Sequence, residues 1–124
     1  MEVWKFSHQA VLATYRITAT LPADERFGLV SQMRRAAVSI AANIVEGFGR
    51  SHPKDKVNFY NYSQASVEEL SYYYLLSKDL GYVGESSQVD RLLESVGRML
   101  RKLVQVTSGR SRARPPNPAA PPLP

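Results

Sequence analysis

Few side chains in this 124-residue chain have a type and spacing that could do chemistry. A di-iron centre in a helix bundle needs Glu-x-x-His pairs projecting inward. No such pair occurs, the two histidines His8 and His52 lie far apart, and there is no cysteine to supply a thiolate. No metal or other cofactor is therefore expected, and each histidine is expected to be a surface or interhelix hydrogen-bonding residue. Glu68 and Glu69 are adjacent, hence about 100° apart on a helix and poorly placed to act together. Ser39 has no local histidine, and no Gly-x-Ser-x-Gly turn exists to raise a nucleophile. Residues 47–51, Gly-Phe-Gly-Arg-Ser, carry glycines as a phosphate loop does, but lack the preceding strand and the Lys-Ser/Thr ending. Free amides at the following helix start, with Arg50 and Lys54 nearby, would bind a phosphate weakly at most. The residues point away from an enzyme.

A polar stripe is more informative. Gln32, Arg35, Ser39, Asn43 and Glu46 recur at steps of three and four, which puts them on one face of a helix. Leu29, Met33, Ala36, Ala37, Ile40, Ala41, Ile44 and Phe48 take up the rest of its circumference. Such a helix is expected to be buried on several sides, with its stripe meeting other protein groups rather than water. It reads as the central helix of a bundle.

Charge offers a second candidate. Arg98, Arg101 and Lys102 cluster within little more than one helical turn, Arg91 lies two turns earlier, and Arg110, Arg112 and Arg114 follow. Multiplied around an oligomer, these would make a basic surface for RNA or DNA whose affinity falls with salt. Positive side chains also suit helix C-termini and solvated faces, so the cluster has a plain structural reading as well. The net charge of +5 and pI near 9.7 permit the first reading without requiring it. Tyr60, Tyr62, Tyr72, Tyr73, Tyr74 and Tyr82 could stack on bases, but successive helical positions cannot share one direction. Tyr60, Tyr73 and Tyr74 are expected in the core, with Tyr62 or Tyr72 at a subunit interface.

The elements that must position these residues are all helical. The first runs from about residue 3 to 19, with Trp4, Val11, Leu12, Tyr15 and Ala19 on one side, and stops at Leu21-Pro22. Pro22, Asp24 and Glu25 suit the start of a second helix, kinked at Gly28 and running to Phe48 between Gly47 and Gly49. Ser51 is the expected N-cap of the third, with Pro53 in its first turn and its end near Gly81. The fourth, about residues 86–106, carries Val89, Leu92, Leu93, Val96, Met99, Leu100, Leu103 and Val106 on one side and charge on the other. No period-two strand pattern appears. The expected fold is an all-α, antiparallel up-down-up-down four-helix bundle over residues 1–107. From residue 108 the sequence SGRSRARPPNPAAPPLP predicts a disordered basic, proline-rich tail. Length suffices for one core without staples, and no signal peptide or membrane span is read. A cytoplasmic protein is expected, compatible with the absence of cysteine.

Several separated motifs agree in order with one family. QMRRAAVSIAANIVEGFGR (32–50), LPADERFGL (21–29), ASVEEL (65–70) and KDLGYV (78–83) resemble the small bacterial four-helix-bundle proteins called 23S rRNA intervening sequence proteins. The resemblance covers nearly all of the body and excludes the tail. It implies a left-handed bundle that assembles with itself, as a homopentamer. A related bundle is the accessory protein of diversity-generating retroelements, which joins a pentameric barrel to nucleic-acid and polymerase binding. Carried over by position, the family's characteristic polar residues fall on Gln32, Arg35, Ser39, Asn43 and Glu46, and on Ser66 and Glu69 in the third helix. They are expected to satisfy one another across a packed helix pair or a subunit seam, the alternative being a ligand or RNA contact lining a groove.

Overall fold

A computed structural model describes residues 1–85 and 87–112. Four helices account for most of them: α1 (Glu2–Thr18), α2 (Leu29–Phe48), α3 (Pro53–Asp79) and α4 (Ser87–Arg112). No strand occurs among the described residues. Each helix packs on its two neighbours in a closed cycle, α1 on α2, α2 on α3, α3 on α4 and α4 on α1, and among the described residues no Cα atoms of diagonally opposite helices come within 8 Å. Contacts between α2 and α3 run in opposite senses: Met33 meets Ser77, Ile40 meets Ser63, and Gly47 meets Tyr60. Between α3 and α4, Lys78 meets Asp90 while Val67 lies opposite Gly97. This is consistent with the expected up-down-up-down order.

The core is filled by Met33, Ile40, Ile44, Tyr60, Leu70, Tyr74, Leu93, Val96 and Leu100. The apolar side read for α1 is not the side it buries. Trp4, Leu12, Tyr15 and Ala19 point outward and Val11 is half-buried against the core, whereas Val3, Ser7, Ala10, Thr14 and Thr18 point in. Their hydroxyls are satisfied locally: Ser7 donates to the Val3 carbonyl at 2.7 Å, and Thr18 to the Thr14 carbonyl at 2.6 Å. Thr14 and Tyr74 share a hydrogen bond of 2.8 Å across the core. Small side chains bring α1 close to the bundle axis, and a bonded hydroxyl carries little burial penalty.

The connections differ from expectation in three places. The helical start at Pro22 is only a single 3-10 turn, Ala23–Glu25, and the kink expected at Gly28 is a full break. There Glu25 accepts a long bond from the Leu29 amide, 3.4 Å, at the positive end of α2. Glu25 also accepts 2.9 Å from the Tyr82 hydroxyl, tying the two loops at this end together. The N-cap of α3 is His52, without a side-chain cap, rather than Ser51. Finally, α4 continues through Ser108 and Gly109 to Arg112. A lone glycine costs about 1 kcal/mol relative to alanine and does not end a helix, and the first proline comes only at Pro115. The expected tail overlaps α4 by five residues, and 113–124 lie outside the described residues. At the end of α3, Gly81 adopts φ +78°. Its amide bonds the Lys78 carbonyl and that of Tyr82 bonds Ser77, both at 2.9 Å, a paired closure that requires the left-handed conformation glycine tolerates.

Candidate functional site

The polar stripe of α2 is not enclosed by the bundle. It runs along the outer mouth of the α2–α3 groove, with Gln32, Ser39, Asn43 and Ser66 half-buried and Arg35, Glu46 and Glu69 exposed. The stripe separates into three groups. At its centre, Ser66 donates to Ser39 Oγ at 2.8 Å, and Asn43 Nδ2 donates to the same Oγ at 3.0 Å and to the Ser39 carbonyl at 2.9 Å. This is the one place where the stripe bridges two helices directly through its own residues. Toward the α2 start, Arg35 donates to Gln32, while across the groove Glu69 bonds Tyr73. Burial and the neighbouring Glu69 charge push the Tyr73 hydroxyl up, and Arg35 opposes them. At the far end Glu46 pairs with Arg50 at 3.2 Å, both well exposed.

That pairing bears on phosphate binding. Arg50 is held by Glu46 and lies 4.6 Å from the centre of the Phe59 ring. Lys54 is exposed on the first turn of α3. A cation that sequence reasoning missed, Lys56, does reach this turn: its Nζ donates to the Gly47 and Phe48 carbonyls at 3.3 and 2.9 Å, closing the α2 C-terminus. Only a basic residue about one helical turn after the turn's proline hinted at it. Arg50 and Lys56 are thus committed to protein groups.

The basic cluster also divides. Arg91, Arg98 and Lys102 are exposed on the outer side of α4, and Arg98 donates weakly to Ser95 at 3.4 Å. Arg101 turns toward α3. Its guanidinium lies over Gly97, in a groove with Val67, Glu68, Ser71, Asp90 and Glu94. Arg110 and Arg112 sit on the last turn of α4, but their side chains, and Arg114 altogether, lie outside the described residues. No group of three or more His, Asp or Glu able to hold a metal occurs among the described residues. No helix there is long and apolar enough to cross a membrane.

The surface most unlike solvent-facing protein is apolar. Turned out toward α2, the outer side of α1 presents Trp4, Leu12 and Tyr15, and α2 adds Val38, Val45 and Phe48; all six are between 37 and 64% exposed. Arg34 bridges the two helices, over the Tyr15 ring at 4.6 Å and donating to Thr18 Oγ1 at 2.9 Å. At one end Met1, Trp4, Ile44, Val45 and Phe48 line a recess of about 170 Å³. On α3, Tyr60 and Tyr74 are buried and Tyr73 half-buried, whereas Tyr62 and Tyr72 are both 57% exposed. Patterning alone hid the α1–α2 face, because its residues are those an amphipathic reading assigns to the core.

Comparison with solved structures finds a crystal structure of a protein of unknown function from the S23 ribosomal protein family of Bacteroides thetaiotaomicron VPI-5482. It is 19% identical, with a TM-score of 0.77, over 83% of this chain and 98% of that one. At that identity the likeness is one of fold. No curated protein matches the chain. A family model described as 23S rRNA-intervening sequence protein matches residues 1–104, the four helices up to the last two turns of α4. The chain belongs to the 23S rRNA-intervening sequence protein family.

Proposed function

We propose that this protein is a non-enzymatic, cytoplasmic scaffold that works as a homo-oligomer, a pentamer on the strength of the family resemblance. The observation that carries the reading is the apolar face of α1 and α2. Leu12, Tyr15, Val38 and Val45 are large apolar side chains left exposed on two neighbouring helices, and exposed apolar surface of this kind marks protein contacts. A ring needs two different faces on each copy, since its contacts are head-to-tail. The outer side of α3, with Tyr62, Tyr72 and Leu75 exposed, supplies a second surface rich in residues that anchor interfaces. Light scattering on a size-exclusion column tests this: a single species near five times 13.9 kDa is expected. Leu12→Glu with Val38→Glu should reduce it to monomer while helicity persists. A wild-type monomer at tens of micromolar would sink the scaffold reading.

A second reading, a dedicated RNA- or DNA-binding accessory factor, is supported by the outer row of α4. Arg91, Arg98 and Lys102 enter no ion pair among the described residues. Repeated around a ring, and joined by Arg110, Arg112 and Arg114, they would present a multivalent cationic rim. The absorbance ratio at 260 and 280 nm across the same chromatographic peak separates the readings: excess absorbance at 260 nm favours the accessory factor, a clean protein peak the scaffold.

A further inference from the structure

We infer that residues 113–124 of this chain dock in the recess between the start of α1 and the end of α2. The recess lies at one end of the α1–α2 face proposed for the oligomer and shares Val45 with it, whereas the segment lies beyond the family match, which ends at residue 104.

The recess has the chemistry of a proline-binding site. It is small, about 170 Å³, and lined by Met1, Trp4, Ile44, Val45 and Phe48. Trp4 and Phe48 keep 37 and 64% of their surface exposed. His8 stacks parallel on Trp4 with centroids 5.1 Å apart, and Lys56 Nζ lies 5.6 Å from the Phe48 ring centre. Each contact fixes an aromatic ring while leaving it open to a ligand. Aromatic-lined grooves of this kind take extended proline segments, which lose little entropy on binding.

The matching segment is in the same chain. Pro115, Pro118, Pro121 and Pro124 recur every third residue. Three residues is the repeat of a polyproline II helix, the form that aromatic grooves take up, and Leu123 precedes the last proline.

Position permits the contact. Gly97 lies opposite Val67, and Lys56 is bonded to the Phe48 carbonyl at the α2 end. From Gly97, α4 advances to Arg112, while from Val67, α3 runs back to Lys56. At 1.5 Å per residue α4 therefore ends about 6 Å beyond the level of Lys56. Crossing from α4 to the outer side of α1 and α2 takes roughly 20 Å, given helix separations of 8–10 Å. Twelve extended residues span about 37 Å.

Trp4 is the only tryptophan in the chain, so its fluorescence reports on the recess directly. Ending the chain after Arg112 should shift Trp4 emission to the red and raise acrylamide quenching, with the far-UV circular dichroism of a helical bundle retained. The full chain carrying Pro118→Asp and Pro121→Asp should behave likewise, and a synthetic peptide of residues 113–124 should reverse the change in the truncated protein. Molecular mass is measured on the same samples, so loss of the oligomer is read separately from loss of the tail. Identical emission and quenching in full and truncated chains with the same number of subunits would overturn the inference. A difference that vanishes on dilution to monomer would overturn the same-chain assignment, because a neighbouring copy's tail would then be the occupant.

Discussion

Gly47 lies directly against the ring of Tyr60: a Cβ at Gly47 would stand 2.6 Å from Cε1 and 2.9 Å from Cδ1. Tyr60 is 2% exposed, so its ring has little room to retreat, and the same Cβ would stand 3.1 Å from Phe59 Cβ. Gly47→Ala must push α2 from α3 or tilt the ring, and overpacking of this kind costs typically about 1–3 kcal/mol. A denaturant midpoint falling at constant slope is the expected result. An unchanged midpoint would mean that α2 and α3 do not approach as closely as the structure has them.

Gly97 predicts the opposite sign. Its Cβ would meet Arg101 Nη1 at 3.5 Å and Val67 Cγ1 at 3.8 Å, ordinary contact distances. Gly97→Ala therefore removes backbone freedom from the middle of α4 without a clash, and should stabilise by up to about 1 kcal/mol. Thermal melting of the two alanine variants side by side tests both signs at once.

Tyr74 gives the bundle an alkaline limit. Burial pushes its hydroxyl up to about 12, partly opposed by the bond to Thr14. An unfolded tyrosine ionises near pH 10. Between about pH 10 and 12 the unfolded chain has released a proton that the folded chain keeps, so stability present below pH 10 is lost as pH rises. Tyr73 and Tyr82, also raised, act in the same direction. Tyr74→Phe should cost about 1 kcal/mol at neutral pH through the lost Thr14 bond, yet make the alkaline fall shallower. Equal steepness in both proteins would remove Tyr74 from the explanation.

The helices themselves were legible because glycine, proline and a 3.6-residue period mark them independently of tertiary contacts. The α2 core positions Met33, Ile40 and Ile44 follow from that period, and all are fully buried. On α1 the same logic failed, since hydrophobicity ranks Trp4 and Leu12 above Ser7 and Thr14. What decides there is that α1 must approach α2 and α4 closely, and each small hydroxyl can bond a carbonyl or Tyr74. The residues of the polar stripe were legible as a set, but their enclosure was not. Whether a stripe lies at a groove mouth or between helices depends on the rotation of α2, which α3 fixes through Ser63 and Ser66. Lys56 was hidden because its partners are backbone carbonyls, which leave no trace in the side-chain pattern.

Ser39 is the hub of the stripe, receiving Asn43 and Ser66 on one oxygen. Ser39→Ala leaves Asn43 its bond to the residue 39 carbonyl and Ser66 its access to water, so stability should fall by no more than about 1 kcal/mol. If the groove mouth is a subunit seam, Ser66 and Asn43 cannot turn to water, and the variant should lower the oligomer's dissociation temperature well beyond that monomer cost. Equal effects on unfolding and dissociation would put the stripe outside the interface.

Nucleic-acid contact through α4, if it occurs, should distinguish residues that are close in sequence. Arg98 and Lys102 face outward, whereas Arg101 lies over Gly97 beside Glu68 and Glu94. A phosphate backbone approaching the outer row meets the first two and is held off the third by those carboxylates. Arg98→Glu and Lys102→Glu should each weaken binding to any RNA or DNA sequence alike, lowering the salt slope by about one per lost phosphate contact. Arg101→Glu should change affinity less and leave the slope nearly intact. Affinity that responds equally to all three would argue for the net charge of the chain, not for a surface on α4, and affinity indifferent to all three would leave the rim without a role.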